Sequence, residues 1–284
     1  MTSPDDATLA KGERLVRILF WNVNNKPLVT QVSSLIKDTN ADAVVLLENG
    51  STADDTLTHI NHTLDSVFDR PEPAGSPRFH CYRRTASLSL QEFHSTDRLS
   101  FRKLYLGSTK AILVLVHGLD QRNHDSLHRQ EFASDLSSEL QWVKGRHSEP
   151  ILLLGDFNMN PFDSGMWLPT CLNAMPTVLC TSRKSRTYRK SRHEFYYNPM
   201  WGFLGDRHPD PPGTTYDTSS QGLYGWNLFD QAILHHSLVP FFRGIDILTT
   251  AGDCRLHTKD GRPNKQRASD HFPILLTMGI ERNG

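Results

Sequence analysis

Five short polar signatures punctuate the chain, and each sits at or beside the end of an apolar run: Trp21-Asn22, Glu48-Asn49, His117, Gly155-Asp156-Phe157-Asn158 and Ser269-Asp270-His271. Between them they offer carboxylates, amides and imidazoles. Carboxylate and amide oxygens prefer Mg²⁺ or Mn²⁺ over zinc, and Mg²⁺ takes one or two protein carboxylates together with waters and substrate phosphate. The inventory suits metal-assisted phosphate chemistry, with Glu48 as the natural main ligand. Such chemistry needs a positioned nucleophile, a cation across the phosphate oxygens and donors for the transition-state charge, so no serine or cysteine nucleophile is required. Taken singly, each residue has a plainer role: Asn22 could cap a turn, Glu48 a helix, and Asp156 could close an Asx-turn. Their joint appearance at strand ends favours a shared site.

For these residues to meet, strands must carry them to one rim. Residues 15–23 (Leu-Val-Arg-Ile-Leu-Phe-Trp-Asn-Val) are rich in branched and aromatic side chains and predict a buried strand ending near Asn22. Leu28, Val32, Leu35 and Ile36 recur at helical spacing, and that helix should stop near Asn40. Ala43–Leu47 predicts a second strand, which delivers Glu48 and completes a strand-helix-strand unit. Ala111–Val116 predicts a strand ending at His117, followed by a long helix marked by Leu127, Phe132, Leu136, Leu140 and Val143. Ile151–Leu154 ends at Gly155-Asp156, and Phe229–Leu234 and Pro273–Met278 supply late strands. This is an α/β pattern, in which ligands tend to bind where strand ends converge.

At 284 residues the chain can bury one large core. Lys plus Arg (31) offsets Asp plus Glu (31), so no global field draws in a polyanion and any nucleic-acid surface must be local. Cys81, Cys171, Cys180 and Cys254 lie far apart with no C-x-x-C pair, which argues against a zinc knuckle and gives no disulfide pattern. Residues 1–14 form a polar tail with acids where a signal peptide needs an apolar core, and no apolar run reaches membrane-spanning length. A soluble cytoplasmic protein with no membrane partner is expected. One domain should occupy residues 15–284, with a long basic and aromatic loop at about 181–222.

Within that loop Arg183, Lys184, Arg186, Arg189, Lys190 and Arg192 are interleaved with Tyr188, Phe195, Tyr196 and Tyr197. Charge runs are usually solvated faces, but cations with aromatics can hold a phosphate backbone and stack bases. Arg183, Arg186, Tyr188, Arg189, Lys190 and Arg192 are therefore expected to contact nucleic acid beside the catalytic rim. Trp201, Tyr216, Tyr224 and Trp226 could equally pack the loop. His235-His236 suggests a metal pair, yet adjacent strand residues point to opposite faces, so structural or surface roles are expected there.

W-N-V at Trp21–Val23, L-L-E-N at Leu46–Asn49, G-D-F-N at Gly155–Asn158, F-D-Q at Phe229–Gln231 and S-D-H at Ser269–His271 occur in this order. Together they resemble the endonuclease/exonuclease/phosphatase superfamily, to which deoxyribonuclease I and the apurinic/apyrimidinic endonucleases belong. The likeness spans residues 18–273. It implies a four-layer α/β/β/α sandwich, two packed mixed β-sheets flanked by helices, with Mg²⁺ or Mn²⁺ as cofactor. It also implies that Asn22 and Glu48 hold the metal side of the site with help from Asp270, that Asp156 orients or deprotonates the attacking water, and that Asn158 binds the phosphate. His271 would contact the scissile phosphate while Asp230 holds its imidazole by a hydrogen bond. His117 resembles the histidine that deoxyribonuclease-like members use as a second acid or phosphate ligand, although a histidine at a strand end can equally be structural.

The implied activity is phosphodiester hydrolysis, with DNA as the expected substrate. An enzymatic rival is a phosphatase or phosphodiesterase of lipid headgroups, inositol phosphates or small nucleotides, because one fold serves many chemistries. A non-catalytic binding module is the rival from another class; its mark would be replacement of Glu48, Asp156 or His271, and none is replaced.

Overall fold

Along the strands Thr109–His117 and Ile151–Asp156, successive side chains leave opposite faces, as the period of two in a pleated strand requires. Leu113, Leu115, Leu152 and Leu154 enter one apolar cluster together with Ile18, Phe20 and Val45. Ile112, Val114, Ile151 and Leu153 enter a second, with Ala133, Leu136, Leu140 and Val143 of the helix Ser126–Lys144. The helices Val29–Thr39 and Ala53–Thr63 bury Val32, Leu35, Ile36 and Ile60 on the other side of the molecule. The result is two large mixed sheets packed together with flanking helices, the expected α/β/β/α sandwich.

The computed structural model describes residues 13–64, 66–71, 76–84, 88–106, 108–205, 208, 211–219 and 225–281. The first sheet runs, in spatial order, Phe242–Ile247, Ile274–Glu281, Glu13–Asn22, Ala43–Leu47, Phe79–Arg84 and Phe68–Asp69. The second runs Leu90–Ser95, Leu99–Leu106, Thr109–His117, Ile151–Asp156, Asp230–His235, Tyr196–Tyr197 and Ala174–Met175. Glu13–Asn22 is parallel to Ala43–Leu47, and Thr109–His117 is parallel to Ile151–Asp156. The other neighbours of these four strands are antiparallel. Among the described residues no helix is long and apolar enough to cross a membrane.

Strands expected from apolar runs are found within a few residues of their expected limits, and Asn40 ends the first helix in the left-handed conformation, at φ 50°. Leu127 departs from expectation. It lies in the first turn of its helix but is 59% exposed, so the apolar stripe begins further along. Leu99–Leu106 was not foreseen as a strand because it carries Arg102 and Lys103. Arg102 is nevertheless buried, and its guanidinium meets Glu92 at 2.7 Å and the Leu90 carbonyl at 3.2 Å.

The segment expected as a long loop is largely structured. Ser185–Tyr188 and Ser191–Glu194 form a hairpin whose turn residues Arg189 and Lys190 have φ of 47° and 66°, the sign a tight two-residue turn requires. Tyr196–Tyr197 joins the second sheet, and Thr215–Tyr216 pairs with Trp226–Asn227. The tail residues 1–12 and Tyr224 lie outside the described residues.

Candidate active site

Three neighbouring strands of the second sheet place His117, Asp156 and Asp230 side by side: His117 pairs with Asp156, and Asp156 with Asp230. Two glycines permit this. A Cβ on Gly155 would sit 2.0 Å from the Val116 carbonyl oxygen, and one on Gly118 would sit 2.1 Å from that of Phe157. Only residues without a side chain let these strand ends close, which explains the glycine of G-D-F-N and a second glycine after His117.

The first sheet supplies the facing rim. Asn22 ends its strand opposite Leu47, and Glu48 follows at once. Asn22 Nδ2 donates to Asp156 Oδ2 at 3.0 Å and bridges the two sheets, while Asn22 Oδ1 accepts the Asn24 amide at 3.0 Å. Asn24 Nδ2 donates to Asp270 Oδ1 at 2.8 Å, and Asn25 Nδ2 to Glu48 Oε2 at 3.3 Å. Ser269 Oγ donates to the Asn22 carbonyl at 2.6 Å and accepts the His271 amide at 3.1 Å. Trp21 Nε1 donates to the His271 carbonyl at 2.9 Å. The S-D-H turn is thus fastened to the W-N-V strand end from both sides.

His271 Nδ1 lies 2.8 Å from Asp230 Oδ2, and its Nε2 lies 3.9 Å from Asp156 Oδ2. His117 Nε2 lies 3.4 Å from Glu48 Oε1, and Arg78 approaches its Nδ1 at 3.5 Å. Asn158 holds Asp156 through its backbone amide at 2.9 Å, and its own Nδ2 points to the Gly118 carbonyl at 3.4 Å. Burial is graded: the Asp230 and Asp156 side chains are 0% and 2% exposed, His271 13% and Glu48 31%, so the floor is dry and the Glu48 side open. Glu48 and Asn158 both hold left-handed backbone, at φ 52° and 51°. For a glutamate this is a strained conformation, of a kind that clusters at functional sites.

The charges interact strongly. Burial alone would depress the His271 imidazole, but the Asp230 carboxylate, joined by Asp156 and Asp270, lifts it to about 10. It is therefore an imidazolium at neutral pH, a donor on both nitrogens. Burial raises the Asp156 carboxyl, with His271 opposing and Asp230 adding to the rise. Burial also raises Glu48, and repulsion from Asp156 adds to it. Burial lowers His117, and Arg78 pushes in the same direction.

The residues fit a hard divalent cation. The Asp156 and Asp270 carboxylates both repel that of Glu48, the situation a cation would relieve. Glu48, Asp270 and the second lone pair of Asn22 Oδ1 are the oxygens suited to hold it. Oxygen and nitrogen atoms of Asp156, Asp230 and His271 also lie within 4.8 Å of one another. That trio reads better as an ion-paired network, because a protonated imidazole has no lone pair for a metal.

The sequence model of the endonuclease/exonuclease/phosphatase family matches residues 19–271. The chain belongs to this family. Members of the endonuclease/exonuclease/phosphatase family are metal-dependent phosphoesterases. Among solved structures, TDP2 from D. rerio complexed with single strand DNA product is similar at 16% identity and TM-score 0.56, over 93% of this chain and 98% of that one. The human Nocturnin catalytic domain with bound sulfate is similar at 14% identity and TM-score 0.55, over 93% and 94%. A family protein from Bacteroides thetaiotaomicron reaches TM-score 0.56 at 11% identity, over 95% and 96%. At these identities the likeness is one of fold. A search of the curated proteins found no match.

Asn22, Glu48, His117, Asp156, Asn158, Asp230, Asp270 and His271 thus share one rim. The basic segment does not sit beside it. Tyr196, two residues after the hairpin, pairs with His235, at the opposite end of the strand that begins with Asp230. Five residue-to-residue steps along the strand, about 17 Å, separate the two ends. The hairpin side chains are also partly engaged: Arg186 donates to the Trp167 carbonyl at 2.8 Å and lies over Phe195, Arg189 lies over Tyr188, and Arg192 donates to Ser185 Oγ at 2.9 Å. Sequence reasoning placed the segment by its order after G-D-F-N, and order does not specify which end of a sheet a loop serves. It also passed over Asn24, Arg78 and Gly118, none of which belongs to a recognisable motif.

Proposed function

We propose that this chain, acting as one domain over residues 15–284, is a divalent-metal-dependent nuclease that hydrolyses phosphodiester bonds of DNA. The observation that carries the reading is the contact of His271 with Asp230, with Asp156 3.9 Å from the opposite ring nitrogen. In this role the imidazolium donates from Nε2 to a phosphate oxygen and stabilises the charge that develops in the transition state. Asp230 holds the ring and its proton. Asp156, raised above the usual carboxylate range, orients the attacking water and accepts its proton. Asn158 binds the phosphate, and His117 supports a second phosphate oxygen or acts as a further acid. Glu48, Asn22 and Asp270 would hold Mg²⁺ or Mn²⁺, which neutralises phosphate charge and makes water more acidic.

The DNA assignment draws on the TDP2 neighbour complexed with single strand DNA product and on the basic hairpin. A second reading, hydrolysis of a small phosphodiester or phosphate ester, is favoured by the distance of that hairpin from the rim. Incubation with plasmid DNA, RNA and a chromogenic phosphodiester, each with Mg²⁺ and with chelator, decides between them. DNA cleavage that chelator abolishes is expected. Turnover of the small substrate alone supports the second reading, and undiminished turnover in excess chelator refutes the metal-dependent mechanism.

A further inference from the structure

At the end of the second sheet remote from the rim, three ligand atoms of Glu194, His235 and His236 lie within 4.8 Å of one another. Adjacent histidines in a strand would face apart, but these do not. His235 is the last residue of its strand, and His236 opens the short helix His236–Phe241, so the alternation stops between them. The rings stand 4.1 Å apart, tilted by 39°. His235 Nε2 lies 3.3 Å from Glu194 Oε2, and its Nδ1 lies 2.8 Å from Ser237 Oγ and 3.4 Å from the Ser237 amide, contacts that orient the ring. Among the described residues, the ring of His236 has no hydrogen-bond partner. Lys144, at the end of its helix, forms an ion pair with Glu194 and lies 5.8 Å from the Tyr196 ring centre.

We propose that Glu194, His235 and His236 bind a zinc-type transition metal, at a site separate from the catalytic rim. Two imidazoles and one carboxylate match the preferences of Zn²⁺, whereas the oxygen-rich rim suits Mg²⁺ or Mn²⁺. Tetrahedral Zn²⁺ with bonds of about 2.0–2.2 Å needs its ligand atoms roughly 3.4 Å apart, so a modest closure of the cluster suffices. On binding, the ion takes the place of the Lys144 ammonium at Glu194, and Lys144 keeps the Tyr196 face as its partner. The metal then ties the base of the basic hairpin, through Glu194, to the end of the central strand.

The test is zinc binding by the chelator-treated full chain, read by competition with a chromophoric indicator. Co²⁺ serves as the spectroscopic probe of tetrahedral geometry. His236 is partly exposed, so His236→Ala should fold, and Glu194→Gln provides a second variant; circular dichroism checks both. The expected result is one equivalent of Zn²⁺ fewer in both variants than in the parent chain. Lys144→Met, which removes the competing cation, is expected to bind that ion about tenfold more tightly, on the scale of outer-shell effects. Equal zinc stoichiometry in the parent, His236→Ala and Glu194→Gln would overturn the proposal and leave the group an ion-pair network around Lys144.

Discussion

The imidazole of His271 meets the carboxylate of Asp230 at 2.8 Å, although the two residues are 41 positions apart, and Asp230 is the main cause that lifts the imidazole against its burial. Asp230 is fully buried and its other oxygen, Oδ1, has no hydrogen-bond partner among the described residues. An uncompensated carboxylate there would be costly, so the pair is held tightly and His271 keeps its proton.

A pH profile of the parent enzyme should accordingly be bell-shaped. Activity rises as Asp156 deprotonates, above the ordinary carboxylate range because its carboxyl is raised, and falls as His271 loses its proton near pH 10. In Asp230→Asn the alkaline limb should move down towards the ordinary histidine value of about 6.5. The ion pair also stabilises the fold. That contribution is complete below the unfolded value of about 6.5 and is lost as pH rises through about 10. An alkaline limb that stays in place in Asp230→Asn would remove Asp230 from this role.

Asp156→Asn and His271→Ala should each lower kcat by about 10²–10⁴, the usual scale for general acid-base groups. Asparagine keeps the volume but only one oxygen, which can accept from Asn22 Nδ2 or from the Asn158 amide and not from both, so the variant should stay folded with a modestly lower thermal midpoint. Near-parental turnover by either folded variant would reassign proton acceptance or phosphate stabilisation.

Glu48 couples function to strain. At φ 52° a glycine is more comfortable than a glutamate, and its repulsion with Asp156 and Asp270 would disappear. Glu48→Gly is expected to abolish metal-dependent turnover while raising stability by on the order of 1 kcal/mol. Glu48→Ala, which loses the same repulsion but keeps a Cβ at φ 52°, should lose activity with a smaller gain. Urea titrations of the three proteins provide the comparison, and a destabilised glycine variant would count against stored strain.

Gly118→Ala probes the joint between His117 and Asp156. The new Cβ would fall 2.1 Å from the Phe157 carbonyl oxygen, so backbone must move. Destabilisation of about 1–3 kcal/mol is expected, with a loss of activity larger than the loss of folded protein explains. A variant with parental stability and rate would show that the strand ends have room to spare.

The hairpin can assist only long substrates. With about 17 Å between the ends of the Asp230–His235 strand, a duplex must extend on the order of five base pairs to touch both. Joint replacement of Arg186, Arg189, Lys190 and Arg192 by alanine should weaken binding of long DNA and flatten its salt dependence by about one unit per lost phosphate contact. Hydrolysis of a small phosphodiester should be unchanged. An unaltered salt slope would make the hairpin a solvated face and favour a small substrate.

Much of the fold was legible because the central strands are apolar on both faces. Ile-Leu-Phe-Trp, Ala-Val-Val-Leu-Leu and Ile-Leu-Leu-Leu are buried between layers, and such runs announce themselves without any partner. The polar residues at their ends were visible for the same reason. Strands such as Phe79–Arg84 and Leu99–Leu106 were not, since they carry arginines that depend on carboxylates elsewhere: Arg83 on Asp69, Arg102 on Glu92.

What the sequence determined by itself was the set of chemical groups, their order and the strands that end in them. Tertiary structure decided which ends meet. Register across three strands placed His117, Asp156 and Asp230 together, and packing of two sheets brought Asn22 to Asp156 and Asn24 to Asp270. It also sent the basic hairpin to the far end and turned His235 and His236 towards one another. The physical reason is that local preferences act over a few residues, whereas the end of a sheet at which a segment arrives depends on pairings between strands distant in the chain.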